Sequence, residues 1–198
     1  MATKGGTGVF RKDFNGGPEM LIKAMKEMAS NEVLVGFPEA STDRKMDPED
    51  EAGKDLTNAQ LGYIHDNGAP EANIPARPFM LPGIEAARSK LIKIARSTGL
   101  KALDSDNPQE TVDQGLHMMG LVAQASIRGV INDGIDPPLA DRTLRERARR
   151  GRKGAQEELD NRAKGLPQGK ELAKPLIDTG QLRNAVNYVI RPRKRRSK

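Results

Sequence analysis

The amino-acid sequence predicts an α+β domain: a small antiparallel sheet packed against long helices, with extended arms outside it. Three observations lead there. Val112, Leu116, Met119, Ala123, Ile127 and Val130 recur three or four residues apart, the strongest periodic signal in the chain. That spacing gives a helix one apolar stripe. Two short segments alternate instead, with Val33, Val35 and Phe37 in one and Val186, Tyr188 and Ile190 in the other. Period two is the signature of a strand. The rest includes glycine-rich and charged stretches with no period, which suit arms and loops.

The elements follow in order. Gly5, Gly6, Gly8, Gly16 and Gly17 break any regular pattern, so residues 1–16 are predicted as a flexible arm. Pro18 suits a first helical position and Glu19 the positive end of a helix dipole. Leu21, Ala24, Met25 and Met28 carry the helix over 18–30. The first strand ends at Pro38, and polar residues 39–55 form a loop. Thr57 caps a helix through Tyr63 and Ile64, stopped by Asn67-Gly68. Residues 69–78 hold three prolines and read as an extended connector. A helix starts near Pro82 and ends by Gly99, with Ile84, Ala87, Leu91, Ile94 and Ala95 on one stripe. Pro108 opens the long helix, and Asn132-Asp133-Gly134 ends it.

Residues 135–174 change character. Arginines crowd between 142 and 153, Glu157, Glu158 and Asp160 follow, and apolar residues are sparse. That segment is either a solvated helix or an arm awaiting a partner. The second strand comes after Pro175, and Arg193 to Lys198 form a basic tail. The expected organisation is an arm at 1–16, one α+β domain at 17–191 with insertions at 39–56 and 135–174, and a tail at 192–198. A sheet of two strands alone is marginal, so further pairing is expected from loops or from neighbouring subunits.

Composition narrows the function classes. Hydrophobic residues make up 36% and aromatics 3% of 198 residues, which predicts a small aliphatic core and segments ordered by neighbours. Charged residues make up 30% with a net +6, a soluble, mildly basic balance compatible with DNA or with acidic protein surfaces. The absence of cysteine excludes disulfides, thiolate nucleophiles and Cys-ligated zinc. No apolar run approaches the roughly 18 residues that span a bilayer. Met1 to Phe14 lacks the apolar stretch of a secretory signal. A soluble protein made in the cytoplasm is expected.

Several motifs invite chemistry and are better read as structure. Leu176-Ile177-Asp178-Thr179-Gly180 has the shape of an aspartic protease half-site, in which two Asp share a proton. Gln181 follows where those enzymes carry a small residue, and the expected run of strands is missing. The bland reading is a structural turn at Asp178, Thr179 and Gly180. His65-Asp66 resembles a base and its orienting carboxylate, but adjacent helical residues point about 100° apart. His117, one past Leu116, reads as surface or interface. Asp104, Asp106 and Glu110 resemble a calcium loop, yet Gln109 stands where an EF-hand needs glycine. The glycines at 5–8 follow no strand and make no phosphate loop. The basic run 142–153 and the tail 191–198 could meet DNA phosphates. Two Tyr and four Phe leave little for base stacking, and acidic residues follow the run directly, which favours a protein partner.

Three stretches together resemble one family. The first is Leu61-Gly62-Tyr63-Ile64-His65-Asp66-Asn67-Gly68-Ala69-Pro70, leading into Ile74-Pro75-Ala76-Arg77-Pro78-Phe79-Met80. The second is Asp136-Pro137-Pro138-Leu139 followed by Thr143-Leu144-Arg145. The third runs from Lys174-Pro175-Leu176-Ile177-Asp178-Thr179-Gly180 to Gln181-Leu182-Arg183-Asn184-Ala185-Val186. Their order and spacing are similar to those of the tail-completion, or neck, proteins of tailed double-stranded DNA bacteriophages. The resemblance spans about residues 18–191, loosely between the boxes, with 39–56 and 146–173 as insertions and the basic tail as an addition.

That resemblance implies a non-enzymatic structural virion protein without cofactor or metal. It implies a ring of identical subunits at the head-tail interface, six-fold or alternatively twelve-fold, leaving a channel for DNA. Its implied partners are a portal-side head-completion protein (adaptor or stopper) and a tail terminator or tail tube protein. Contact with passing DNA would be transient and non-specific. The alternative is a basic nucleic-acid-binding accessory protein, whose duplex affinity would fall steeply with salt. Arg77, held extended between two prolines, Phe79 just after them, and Arg145, Arg149, Arg150 and Arg152 are the expected interface residues. For Arg77 and Phe79 the bland reading carries equal weight: an ordinary connector that packs Phe79 into its own core.

Overall fold

The computed structural model describes residues 17–38 and 56–193. The arm expected at 1–16, the insertion at 39–56 except Leu56, and residues 194–198 of the tail lie outside the described residues.

Helix α1 spans Gly17–Ser30 and leads directly into strand β1, Asn31–Gly36. Strand β2, Asn187–Pro192, pairs with it antiparallel from Asn31↔Pro192 to Gly36↔Asn187. The α+β class stands, with the two predicted strands forming the sheet. Each strand is shifted by about one residue pair from its alternation pattern, because the pairing takes in Asn31 and Arg191-Pro192. No third strand joins among the described residues. The sheet instead leans on helices: Val33 and Ile190 pack against Ala24, Ala102, Val112 and Leu116.

Helix α2, Asn58–Asn67, is capped as its sequence demands. The Thr57 side chain accepts from Gln60 N, and the Gln60 side chain reaches back to Thr57 N at 2.9 Å. Gly68, at φ +79°, closes the other end with its N–H on the Ile64 carbonyl. The connector holds a single 3₁₀ turn, Pro70–Ala72.

Helices α3, Met80–Leu103, and α4, Pro108–Asp133, form a long antiparallel hairpin. Helix α3 begins two residues before Pro82 and passes Gly99 by a full turn. Pro82 sits in the first turn, where a missing N–H costs nothing. Ala102 is buried against Val112 and Leu116, so packing carries the helix past the glycine. The hairpin is close-set: a Cβ on Gly83 would lie 2.7 Å from the Ile127 backbone, and one on Gly115 2.3 Å from the Thr98 side chain.

Residues 135–174, expected as a solvated helix or a waiting arm, form a second, shorter hairpin. It consists of α5, Asp141–Arg149, and α6, Lys153–Ala163. It owns a small core of Leu139, Leu144, Ala155 and Ala173. A short helix α7, Gln181–Ala185, precedes β2. Among the described residues no helix is long and apolar enough to cross a membrane.

Candidate functional site

The three boxes that carry the family resemblance meet in one buried corner. Asp66 ends α2 and its Oδ1 accepts from the backbone N–H of Phe79 at 2.7 Å and of Met80 at 3.0 Å. A side chain from the start of the first stretch thus caps the helix that opens at its end. Asp66 is committed to those two donors, not to His65, whose carbonyl accepts the Arg77 N–H at 2.8 Å.

Arg77 and Phe79 do not face a neighbour. Arg77 is 5% exposed; its Nε donates to the Pro137 carbonyl at 2.9 Å and its Nη2 to the Pro138 carbonyl at 3.1 Å. The rigid guanidinium fork suits two successive carbonyls of a proline pair. Burial pulls the Arg77 pKa below the ordinary arginine value, yet a guanidinium stays charged. Phe79 is fully buried among Ile127, Ile131, Leu176, Leu182 and Val186, with its ring edge-on to Phe37 at 6.2 Å. The expectation of two interface anchors is corrected: the extended segment aims both side chains into the chain's own core.

The arginine run divides in the same way. Arg145 and Arg149 are exposed, paired with Asp141 at 3.9 Å and Glu146 at 2.6 Å. Arg150 turns inward to the third box, its Nη1 2.8 Å from Asp178 Oδ2, and Arg152, still exposed, reaches the same carboxylate with Nε 3.0 Å from Oδ1. Each carboxylate oxygen of Asp178 therefore meets a guanidinium, so the Asp-Thr-Gly turn is tied to the end of α5 and the start of α6. Thr179 Oγ1 accepts from Gln181 N at 3.4 Å, and Gly180, at φ +79°, starts α7 in a left-handed conformation.

Arg147 was not singled out by the sequence. It is 9% exposed and its Nη1 donates to the carbonyls of Lys174 at 3.0 Å and Ile177 at 2.8 Å. Burial lowers its pKa, and Asp178 works against that. Its signal was present: it lies three residues after Leu144, on the buried side of α5. Glu158 and Arg162 were missed likewise. Their side chains are 4% and 9% exposed and pair at 2.9 Å, while Glu158 Oε1 also accepts Gly169 N at 2.8 Å. Arg162 Nη1 adds Asp141 at 2.6 Å and the Leu139 carbonyl at 2.9 Å. Burial alone would lower the Arg162 pKa, but its hydrogen bonds to Asp141 and Glu158 outweigh it and raise it.

These polar groups fasten segments of the chain to one another. His117 Nδ1 lies 3.0 Å from the Tyr188 hydroxyl, and its other nitrogen 3.7 Å from Asp113, on an open surface. No group of three or more His, Cys, Asp or Glu able to hold a metal occurs among the described residues.

What the surface offers is apolar. Leu81, Ile92 and Leu103 lie 11 residues apart on α3, which puts them on one side of the helix, and are 64%, 59% and 41% exposed. Leu100 is 59% exposed beside them, and Met118 and Leu121 on α4 are 51% and 50% exposed. Ala86, Lys90, Leu121, Val122 and Ala125 line an open groove between the two helices. In comparisons with known proteins, no family model, no curated protein and no solved structure matches the chain.

Proposed function

We propose that the chain is a structural subunit of a bacteriophage neck, a ring-forming tail-completion protein that joins the head connector to the tail and performs no catalysis. One observation carries the reading. The residues that resemble the family are scattered over more than a hundred positions, yet they converge on a single knot: Asp66 on Phe79, Arg77 on Pro137 and Pro138, and Phe79 on Leu182 and Val186. Buried polar groups paired with distant backbone in this way hold a fold together. The exposed leucines and methionines of the α3–α4 hairpin supply surface for self-association. Among the described residues no third strand covers the edges of the sheet, which offer more.

In this reading the copies form a closed ring, six-fold or else twelve-fold, around a channel for DNA. One side meets a portal-side adaptor or stopper, and the other a tail terminator or tube protein. The test is the mass of the purified protein, alone and with virion neck components. A closed ring that joins particles is the expected result. A monomer that joins no particle, or a substrate turned over by the protein alone, overturns the proposal.

A further inference from the structure

The two helices of the long hairpin carry opposite charge. From 86 to 101 the chain has Arg88, Lys90, Lys93, Arg96 and Lys101 and no acidic residue. Arg88, Lys90, Lys93 and Arg96 are exposed and take no ion pair among the described residues. Ile92 and Leu100, each 59% exposed, sit among them. From 102 to 127 the balance is reversed, with Asp104, Asp106, Glu110 and Asp113 and no Lys or Arg. Gln114, Met118, Leu121 and Ala125 then follow at spacings of three or four as one exposed stripe of α4.

A row of like cations along a helix is unfavourable until something negative faces it. Duplex DNA would satisfy the cations and leave Ile92, Leu100, Met118 and Leu121 in water. A second copy satisfies both, because its acidic turn and apolar stripe match the basic, apolar row in charge and in chemistry. We infer that α3 of one copy docks on α4 of the next. Ile92 and Leu100 cover Met118 and Leu121, and Arg88, Lys93 and Arg96 face Glu110 and Asp113. The inference rests on the ring reading and names its interface. The joined surfaces are unlike, so the contact is heterologous and repeats from copy to copy until rotation closes it. The 24-residue α3, about 36 Å long, gives the joint its length.

Light scattering on the full chain, with charge reversals on each side, tests it. Arg88→Glu/Lys93→Glu/Arg96→Glu is expected to abolish assembly, as is Glu110→Lys/Asp113→Lys, while circular dichroism shows both variants helical. Mixing the two variants restores assembly, because each supplies the surface the other now needs. High salt weakens the wild-type assembly at least about tenfold. As a second measurement, Ile92→Cys/Met118→Cys in this cysteine-free chain yields on oxidation a covalent ladder longer than a dimer. A ring that survives either reversal, or a cysteine variant that forms no ladder, overturns the interface and leaves the ring standing. An α3 reversal that loses only duplex DNA binding does the same. A wild-type chain that stays monomeric alone and with neck components overturns the ring as well.

Discussion

Helices α3 and α4 meet through small residues. Gly83 lies against the Ile127 backbone, Gly115 against Thr98, and the Ser126 hydroxyl donates to the Gly83 carbonyl at 2.7 Å. Helices α5 and α6 share a small apolar core of Leu144 and Ala155 and add charge to it: within α6 Glu158 pairs with Arg162 at 2.9 Å, Arg162 reaches Asp141 of α5 at 2.6 Å, and Arg147 and the Arg150–Asp178–Arg152 bridge fasten the pair to the turn before α7. The topology is the same and the adhesive differs. Dispersion and apolar burial are spread over many atoms, so the first joint should tolerate changes that keep volume. A buried ion pair is concentrated in a few bonds, so the second should fail when one partner alone is removed.

The largest effect expected from this contrast is at Glu158. Glu158→Ala leaves the Arg162 guanidinium, 9% exposed, without its buried carboxylate partner, with the half-exposed Asp141 remaining, and strands the Gly169 N–H. The cost is about 3–5 kcal/mol, read as a lowered urea midpoint. The joint replacement Glu158→Leu/Arg162→Met removes both charges and should recover at least half of the loss. A double variant no more stable than the single one would mean that a buried charge left without its partner is not the source of the loss.

The same contrast explains what could be read from the sequence. Helix α4 was legible because its adhesive is an apolar stripe, and apolar stripes have a period. The strands were legible for the same reason, through Val33, Val35, Tyr188 and Ile190. The α5–α6 hairpin was not, since Arg147, Glu158 and Arg162 look like solvent-facing residues until their partners at Lys174, Gly169 and Asp141 are known. Arg77 shows the limit most clearly. Two prolines correctly gave an extended segment, but its partners, Pro137 and Pro138, lie sixty residues away and no local pattern points to them.

Arg77→Lys is the next largest expected effect, about 1–3 kcal/mol. A lysine reaches the corner with one charged nitrogen and cannot donate along two carbonyls with fixed geometry. The Pro137 or Pro138 carbonyl loses its donor. Thermal melting should show the loss. A lysine variant as stable as wild type would mean that the fork geometry does not matter there. Gly115→Ala is expected to cost about 1–2 kcal/mol, because the new methyl must displace Thr98. Adding Thr98→Ala removes the two closest atoms, Cγ2 and Oγ1, and should return part of that stability. A Gly115→Ala chain that melts like wild type would mean that the two helices can separate freely.

Gly99, one residue from Thr98, should respond in the opposite direction. Nothing lies within 4 Å of a Cβ placed there, and α3 runs through it without a break. Alanine therefore adds no clash and removes backbone freedom from the unfolded chain, so Gly99→Ala should stabilise by about 0.5–1 kcal/mol. For a chain of this size that raises the melting temperature by roughly 1–4 °C. Gly99 also falls on the side of α3 that carries Ile92, Arg96 and Leu103. If that side is where the next copy docks, the added methyl meets a neighbour only in the assembly. Monomer melting and assembly affinity would then move in opposite directions. Both rising together, or neither changing, would mean that the neighbour makes no close approach at Gly99.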